Sequence, residues 1–286
     1  MEEMNMNKKL LAVIGISGTL MLGSVYSISA NTSGYDLYKK SLKITHTADS
    51  ATLDFNLNIE DNKKSILTSQ SIFKSDSVNQ LNSISTRLAN ESEVSNLNLY
   101  KQDGNWYVMK DGLDTVYKMD TANNPHHSNT AELKDDVENL IDVMTKNLQQ
   151  QITVSEKKDD NHVIELDLTG KEIPLSANAL STLMIKHAVM LQDNNETESS
   201  DFHIKAKLPE LDHEITIKQV KLTAQVNKEN YIEQQTVKVI VTGKDKQGTR
   251  HELVLTINLN ATDYNRTTVT PVEIPADKVV EFNHGR

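Results

Sequence analysis

Between His213 and Ala261 apolar side chains alternate with polar ones through three successive segments. Ile215 and Ile217 share one face; after a one-residue slip Val220, Leu222, Ala224 and Val226 share one, and that slip predicts a β-bulge. Val237, Val239 and Val241 follow, then the turn Gly243-Lys-Asp-Lys-Gln-Gly248, then Leu253, Leu255, Ile257 and Leu259. A period of two, β-branched residues and a Gly-bounded turn predict antiparallel strands buried on one face and wetted on the other.

The same reading extends back along the chain. Ser33 and Asp36 have capping-box spacing, and Tyr35, Tyr38 and Leu42 fall on one helical face, so a short helix is predicted from Gly34 to about Thr45. Leu53, Phe55, Leu57 and Ile59 alternate as a first strand that turns at Asp61-Asn62. Weaker alternation over 65–101 suits strands with an exposed face. The turns Gln102-Asp-Gly104 and Lys110-Asp-Gly112 then bracket Trp106 to Met109 and lead into Thr115 to Met119, a β-meander.

Pro125 and the Asn pair beside it mark 121–130 as a loop. Leu133, Val137, Leu140, Ile141, Met144 and Leu148 then repeat at three and four residues, the spacing of an amphipathic helix over 131–149. Gln151 to Ser155 and His162 to Thr169 form a hairpin around Lys157-Lys-Asp-Asp-Asn161. A third helix, Ser176 to about Gln192, buries Leu180, Leu183, Met184, His187 and Leu191, and Phe202 to Leu208 reopens the strands.

Helix, strands, helix, hairpin, helix, strands is an α+β order, with short turns making adjacent strands antiparallel. The expected architecture is a large curved antiparallel sheet, a half-barrel, with about three helices on its concave face. Ten strands of ~20 Å at ~4.8 Å spacing present about 1,000 Å², and helices ~10 Å wide rising ~1.5 Å per residue cover about 700 Å². The remainder is closed by curling, filled by loops or left as an apolar groove.

Residues 1–30 change the picture of location. Lys8 and Lys9 precede the apolar run Leu10 to Tyr26, and Ser27, Ser29 and Ala30 offer cleavage sites, the pattern of an export signal. An uncleaved anchor is the alternative, since a span needs about 20 apolar residues. Residues 31–286 are then a single domain with an irregular tail from about 265. With no Cys, disulfides, thiolate metal sites and Cys nucleophiles are excluded together. Removing the signal takes out two acidic and two basic side chains and leaves the net charge at −10. That excess of carboxylates argues against nucleic acid and anionic membrane surfaces as partners.

The curved sheet, its helices and the export signal resemble the LolA-type lipoprotein-carrier superfamily, including mycobacterial lipid-carrier relatives. Ser33-Gly-Tyr-Asp-Leu-Tyr-Lys39 and Val241-Thr-Gly-Lys-Asp-Lys-Gln-Gly248 also resemble elements of exported proteins from spore-forming Gram-positive bacteria. The resemblance covers most of 34–268 and implies an apolar concavity that holds an acyl chain or another apolar segment. Leu133, Val137, Leu140, Ile141, Met144, Leu180 and Met184 are the candidate ligand contacts, on the helix faces turned to the sheet.

Catalytic motifs are absent where they would be legible: no Gly-x-Ser-x-Gly, no phosphate loop, no His-Glu-x-x-His. His213-Glu214 and His251-Glu252 begin the last and lack its second His. His126-His127 reads as an exposed loop pair, His187 as a core histidine, and Asp135-Asp136 and Asp159-Asp160 as solvated charge, because no alternating carboxylate loop accompanies them. Trp106, Tyr107, Tyr100 and Tyr117 read as cross-strand pairs of the meander, with a stacking platform for sugar or peptide as the alternative. The expected function is therefore an exported, cell-envelope or secreted, non-catalytic protein that binds a lipidic or apolar ligand, a monomer without cofactor or metal. The alternative is an envelope interaction protein whose filled core docks a partner protein.

Overall fold

A computed structural model describes residues 34–119, 151–156, 161–173 and 208–281. One helix, α1 (Gly34–His46), precedes six strands: β1 (Ser50–Asp61), β2 (Lys64–Asp76), β3 (Leu81–Ala89), β4 (Val94–Gln102), β5 (Asn105–Lys110) and β6 (Val116–Met119). Then follow β7 (Thr153–Glu156), β8 (His162–Thr169), β9 (His213–Val226), β10 (Ile232–Lys244), β11 (Arg250–Thr262) and β12 (Val279–Glu281). All twelve strands form one sheet in the order β12-β6-β5-β4-β3-β2-β1-β11-β10-β9-β8-β7. Two antiparallel meanders are joined where β1 pairs with β11, and among the described residues the sheet stays open, with β12 and β7 as its edges. Among the described strands only the β12–β6 pair is parallel.

The curved antiparallel sheet is what the alternation predicts. Of the three expected helices, the described residues contain α1; the predicted helices over 131–149 and from 176 lie outside them.

Hydrogen-bond register sorts every strand into two faces. On one, the pairing places Phe55, Leu259 and Gln235 in a cross-strand row, then Leu57, Ile257 and Val237, then Ile59, Leu255 and Val239. The opposite face carries Asn56, Asn58, Asn258 and Asn260, with Thr256 and Lys238. Period-two alternation is therefore kept across the strand pairs, which is what buries one face and wets the other. The predicted slip in β9 is a bulge: opposite Ile240 and Val241 of β10 the partner jumps from Gln219 to Ile217, which keeps Ile215 and Ile217 on the face of Val220. Asn62 and Lys63, both at positive φ, close the β1–β2 turn.

Helix α1 lies on the apolar face. Leu42, with Leu37 and Tyr38 beside it, packs on Ile164 of β8, Ala224 and Val226 of β9 and Ile232 at the start of β10. Lys43 and His46 in its last turn match the negative end of the helix dipole. That end is pinned by the Ile232 N–H, which donates to Thr45 Oγ1 at 2.9 Å. Tyr264 stacks on Tyr231 at 4.4 Å between ring centroids and donates its hydroxyl to the Ile232 carbonyl. Burial raises the Tyr264 phenol to about 12, so it stays a donor at physiological pH.

After β11 the chain crosses the end of the first meander as an irregular segment that closes in a 3-10 turn, Ala276–Lys278. Asn265 N–H donates to the Ser50 carbonyl, Val269 N–H to Asp76, and Gln102 and Val272 exchange two hydrogen bonds of 3.0 Å. The segment ends as β12, tied to β6 by pairing and by the ion pair of Lys278 with Asp114.

Candidate functional site: the apolar face of the sheet

The middle of the apolar face is a ladder of side chains contributed by β1, β11 and β10. Ile257 is fully enclosed, and Phe55 and Leu259 are buried beside it. Moving along the strands, the flanking Leu57, Val237, Ile59, Leu255, Val239 and Leu253 are only half-buried. β9 extends these rows with Leu222, Val220 and Ile217, and β8 with Leu166 and Leu168. Leu211 closes this end by seating its methyl 3.1 Å from where a Cβ on Gly243 would stand. A side chain at 243 would meet Leu211, which is why a glycine serves there.

On the other side of β1 the face changes character. Ser69 and Ser71 of β2 and Thr86 of β3 occupy inward positions next to Phe55 and Leu57. Ser71 and Thr86 share a hydrogen bond of 2.9 Å, and Ser69 lies 3.5 Å from Ser71, so the hydroxyls largely satisfy one another. This hydroxyl seam separates the ladder from a second cluster, Leu97, Leu99 and Val108 with Ile84, Trp106, Tyr117 and Met119 against it.

Under α1 the face carries a polar contact between two side chains. Tyr38 donates its hydroxyl to Gln235 Oε1 at 3.0 Å, and burial lifts the phenol well above its ordinary range. Gln235 Nε2 and Ser41 Oγ, both enclosed, have no hydrogen-bond partner among the described residues.

At the far end of the ladder stands a polar cluster. His251, on the same face of β11 as Leu253, places Nδ1 2.8 Å from Asp61 Oδ2 and Nε2 3.4 Å from Asp245 Oδ2. Asp245 is set by its turn: the Thr249 N–H donates to its Oδ1 at 2.7 Å, and its own N–H donates to the Thr249 carbonyl. Burial lowers the His251 pKa, but the two carboxylates together outweigh it and leave it above the ordinary imidazole value. For Asp245 burial pushes upward, and the hydrogen bonds from Thr249 and His251 hold it below the usual carboxylate range. Among the described residues no Ser, Thr or Tyr hydroxyl bonds to His251, so they do not assemble a triad of nucleophile, base and carboxylate at this cluster. Among the described residues no three His, Asp or Glu side chains are placed to hold a metal.

The seven ligand-contact candidates, Leu133, Val137, Leu140, Ile141, Met144, Leu180 and Met184, lie outside the described residues, as do His126, His127 and His187. The aromatic quartet is divided by the pleat. Tyr100 and Tyr107 stand directly opposite on the polar face, whereas Trp106 and Tyr117 are on the apolar face opposite Met119 and Val108. Sequence reasoning missed the Tyr38–Gln235 contact and the Asp61–His251–Asp245 cluster. The step of two from His251 to Leu253 was a legible signal of the histidine's face; its partners, 190 and 6 residues away in the chain, were not.

No protein-family model matches the chain. No curated protein matches it either. Among solved structures it is similar to a LolA superfamily protein from Nitrosomonas europaea, at 8% identity over 84% of this chain and 96% of that one, with a TM-score of 0.25. A superposition that loose carries no functional information.

Proposed function

We propose that this chain is an exported, non-catalytic protein that binds a lipidic or apolar ligand along the ladder formed by β1, β11 and β10. The observation that carries the reading is the run of half-buried aliphatic side chains, Leu57, Ile59, Val237, Val239, Leu253 and Leu255, contiguous on one face. Side chains of this kind in the middle of a sheet gain about 25 cal/mol for each further Å² removed from water, so they favour an apolar occupant. A 16-carbon chain supplies roughly 13 kcal/mol gross at ~0.8 kcal/mol per methylene. Association costs of about 4–15 kcal/mol consume much of this, so useful affinity requires most of the chain to be enclosed. The hydroxyl seam of Ser69, Ser71 and Thr86 borders the ladder on one side and would limit the ligand's apolar part to the β1–β9 side.

Native mass spectrometry of freshly purified protein, followed by uptake of a fluorescent 16-carbon fatty acid, tests the proposal. The expected result is co-purifying lipid and saturable uptake that falls at least tenfold in Leu57→Gln and Leu255→Gln, with melting temperatures held near that of the parent. Absence of both lipid and uptake would overturn it. Specific capture of an envelope protein by a chain that takes up no lipid would select the docking alternative.

A further inference from the structure

His251 is 14% exposed, and the two carboxylates it meets belong to different turns. Asp61 ends β1 just before the Asn62-Lys63 turn, and Asp245 opens the turn between β10 and β11. Imidazolium has two N–H donors and can serve both carboxylates; neutral imidazole has one, and must present a lone pair to the other. The neighbouring cations other than Lys63 are engaged elsewhere. Lys244 pairs with Glu214 at 2.5 Å, Arg250 approaches the same carboxylate at 3.8 Å, Lys64 pairs with Glu91 and Lys246 with Glu210. His213 lies 3.1 Å from Asp212, and Lys63 is exposed on its turn. Glu252, the next residue on β11, points to the other face and receives no ion pair among the described residues; its backbone N–H donates to Asn62 Oδ1. Among the described residues, His251 is thus the cation that joins Asp61 to Asp245.

We propose that Asp61, His251 and Asp245 form a proton-operated clasp, which ties the β1–β2 turn to the β10–β11 turn when His251 is charged and releases Asp245 when it is neutral. Asp245 is the one released for two reasons. Its contact is the longer, 3.4 Å against 2.8 Å, and it retains the Thr249 N–H, whereas Asp61 Oδ1 is enclosed without a partner among the described residues and Oδ2 has most to lose. The neutral ring therefore keeps its proton on Nδ1, toward Asp61, and turns the Nε2 lone pair on the Asp245 carboxylate. Repulsion there loosens residues 245–249, at the end of the ladder that begins with Leu253. The direction of both pKa displacements, His251 up and Asp245 down, agrees with this geometry. The clasp does not depend on what the ladder binds.

The test is an NMR titration of the imidazole in the full chain, together with amide hydrogen exchange of Gly248 and Thr249 across the same pH range. His251 should titrate above the ordinary value of about 6.5, with the neutral form protonated on Nδ1. After correction for intrinsic base catalysis, exchange at Gly248 and Thr249 should rise severalfold through that pKa. In Asp245→Asn the His251 pKa should fall and the inflection in exchange should disappear. Titration at or below the ordinary value, a neutral form protonated on Nε2, or exchange without an inflection would overturn the proposal. Should Asp245→Asn fail to fold, the parent titration and exchange decide alone.

Discussion

Tyr38 on α1 donates its hydroxyl to Oε1 of Gln235 on β10, across 197 residues of chain, and the other end of that amide meets no acceptor among the described residues. The contact joins the helix to the sheet through a polar pair set in an otherwise apolar interface of Leu42, Ile164, Ala224 and Val226. A pair only half satisfied costs more than an apolar substitute of the same shape.

Removing one partner should therefore hurt and removing both should not. Tyr38→Phe leaves the whole Gln235 amide buried without a partner and should cost about 1–3 kcal/mol. The double variant Tyr38→Phe, Gln235→Leu should recover that loss or exceed the parent. Urea denaturation of the two single variants and the double decides; a double variant no better than Tyr38→Phe would show the amide has another role.

Gly34 begins α1 in close contact with the strand edge. A Cβ there would stand 2.7 Å from the Ile152 carbonyl oxygen and 2.9 Å from a Val154 methyl. Backbone cannot yield as a flexible side chain can, so Gly34→Ala should shift the helix and destabilise by about 1–3 kcal/mol. Thermal melting measures the loss, and increased exchange of α1 amides would locate it.

The two faces of β11 should respond differently to truncation. Ile257 is 0% exposed at the centre of the sheet, so Ile257→Ala should cost about 2–5 kcal/mol. Thr256, one residue away on the polar face and half-buried, should cost about 0.5 kcal/mol or less when changed to Ala. Equal effects in chemical denaturation would contradict the assignment of faces.

Asp76 supplies a pH dependence of defined sign. Its carboxylate accepts from Asn79 Nδ2 and Asn79 N–H and from Val269 N–H, and the Asn79 bonds are the main reason it is held below the usual carboxylate range. A depressed folded-state pKa contributes stability above the unfolded value of about 3.9, lost as pH falls through the folded value. Asp76→Asn should therefore melt lower than the parent at neutral pH, with the gap closing in acid. A gap of constant size would mean that the charge is not what the tail segment uses. The clasp runs the other way: a raised His251 pKa contributes stability that is complete below the unfolded value of about 6.5 and lost as pH rises through the folded one.

Much of the fold was legible because alternation is a local property. The helix predicted from Gly34 to about Thr45 is Gly34–His46, the hairpin around 157–161 is β7 and β8, and the slip between Ile217 and Val220 is the bulge opposite Ile240 and Val241. The aromatic quartet was less legible, since adjacent Trp106 and Tyr107 necessarily point to opposite faces and only pairing register assigns their partners. The site itself was legible as a face, through Leu253, Leu255, Val237 and Val239, and not as a location between elements.

The order of apolar and polar residues alone decided that this chain builds antiparallel strands with one greasy side, because each strand's faces follow from the two-residue repeat of its own backbone. Tertiary structure alone decided that β1 meets β11, that Tyr38 reaches Gln235 and that His251 stands between Asp61 and Asp245. Those contacts join residues far apart in the chain, and their geometry depends on strand order and register, which no local period contains.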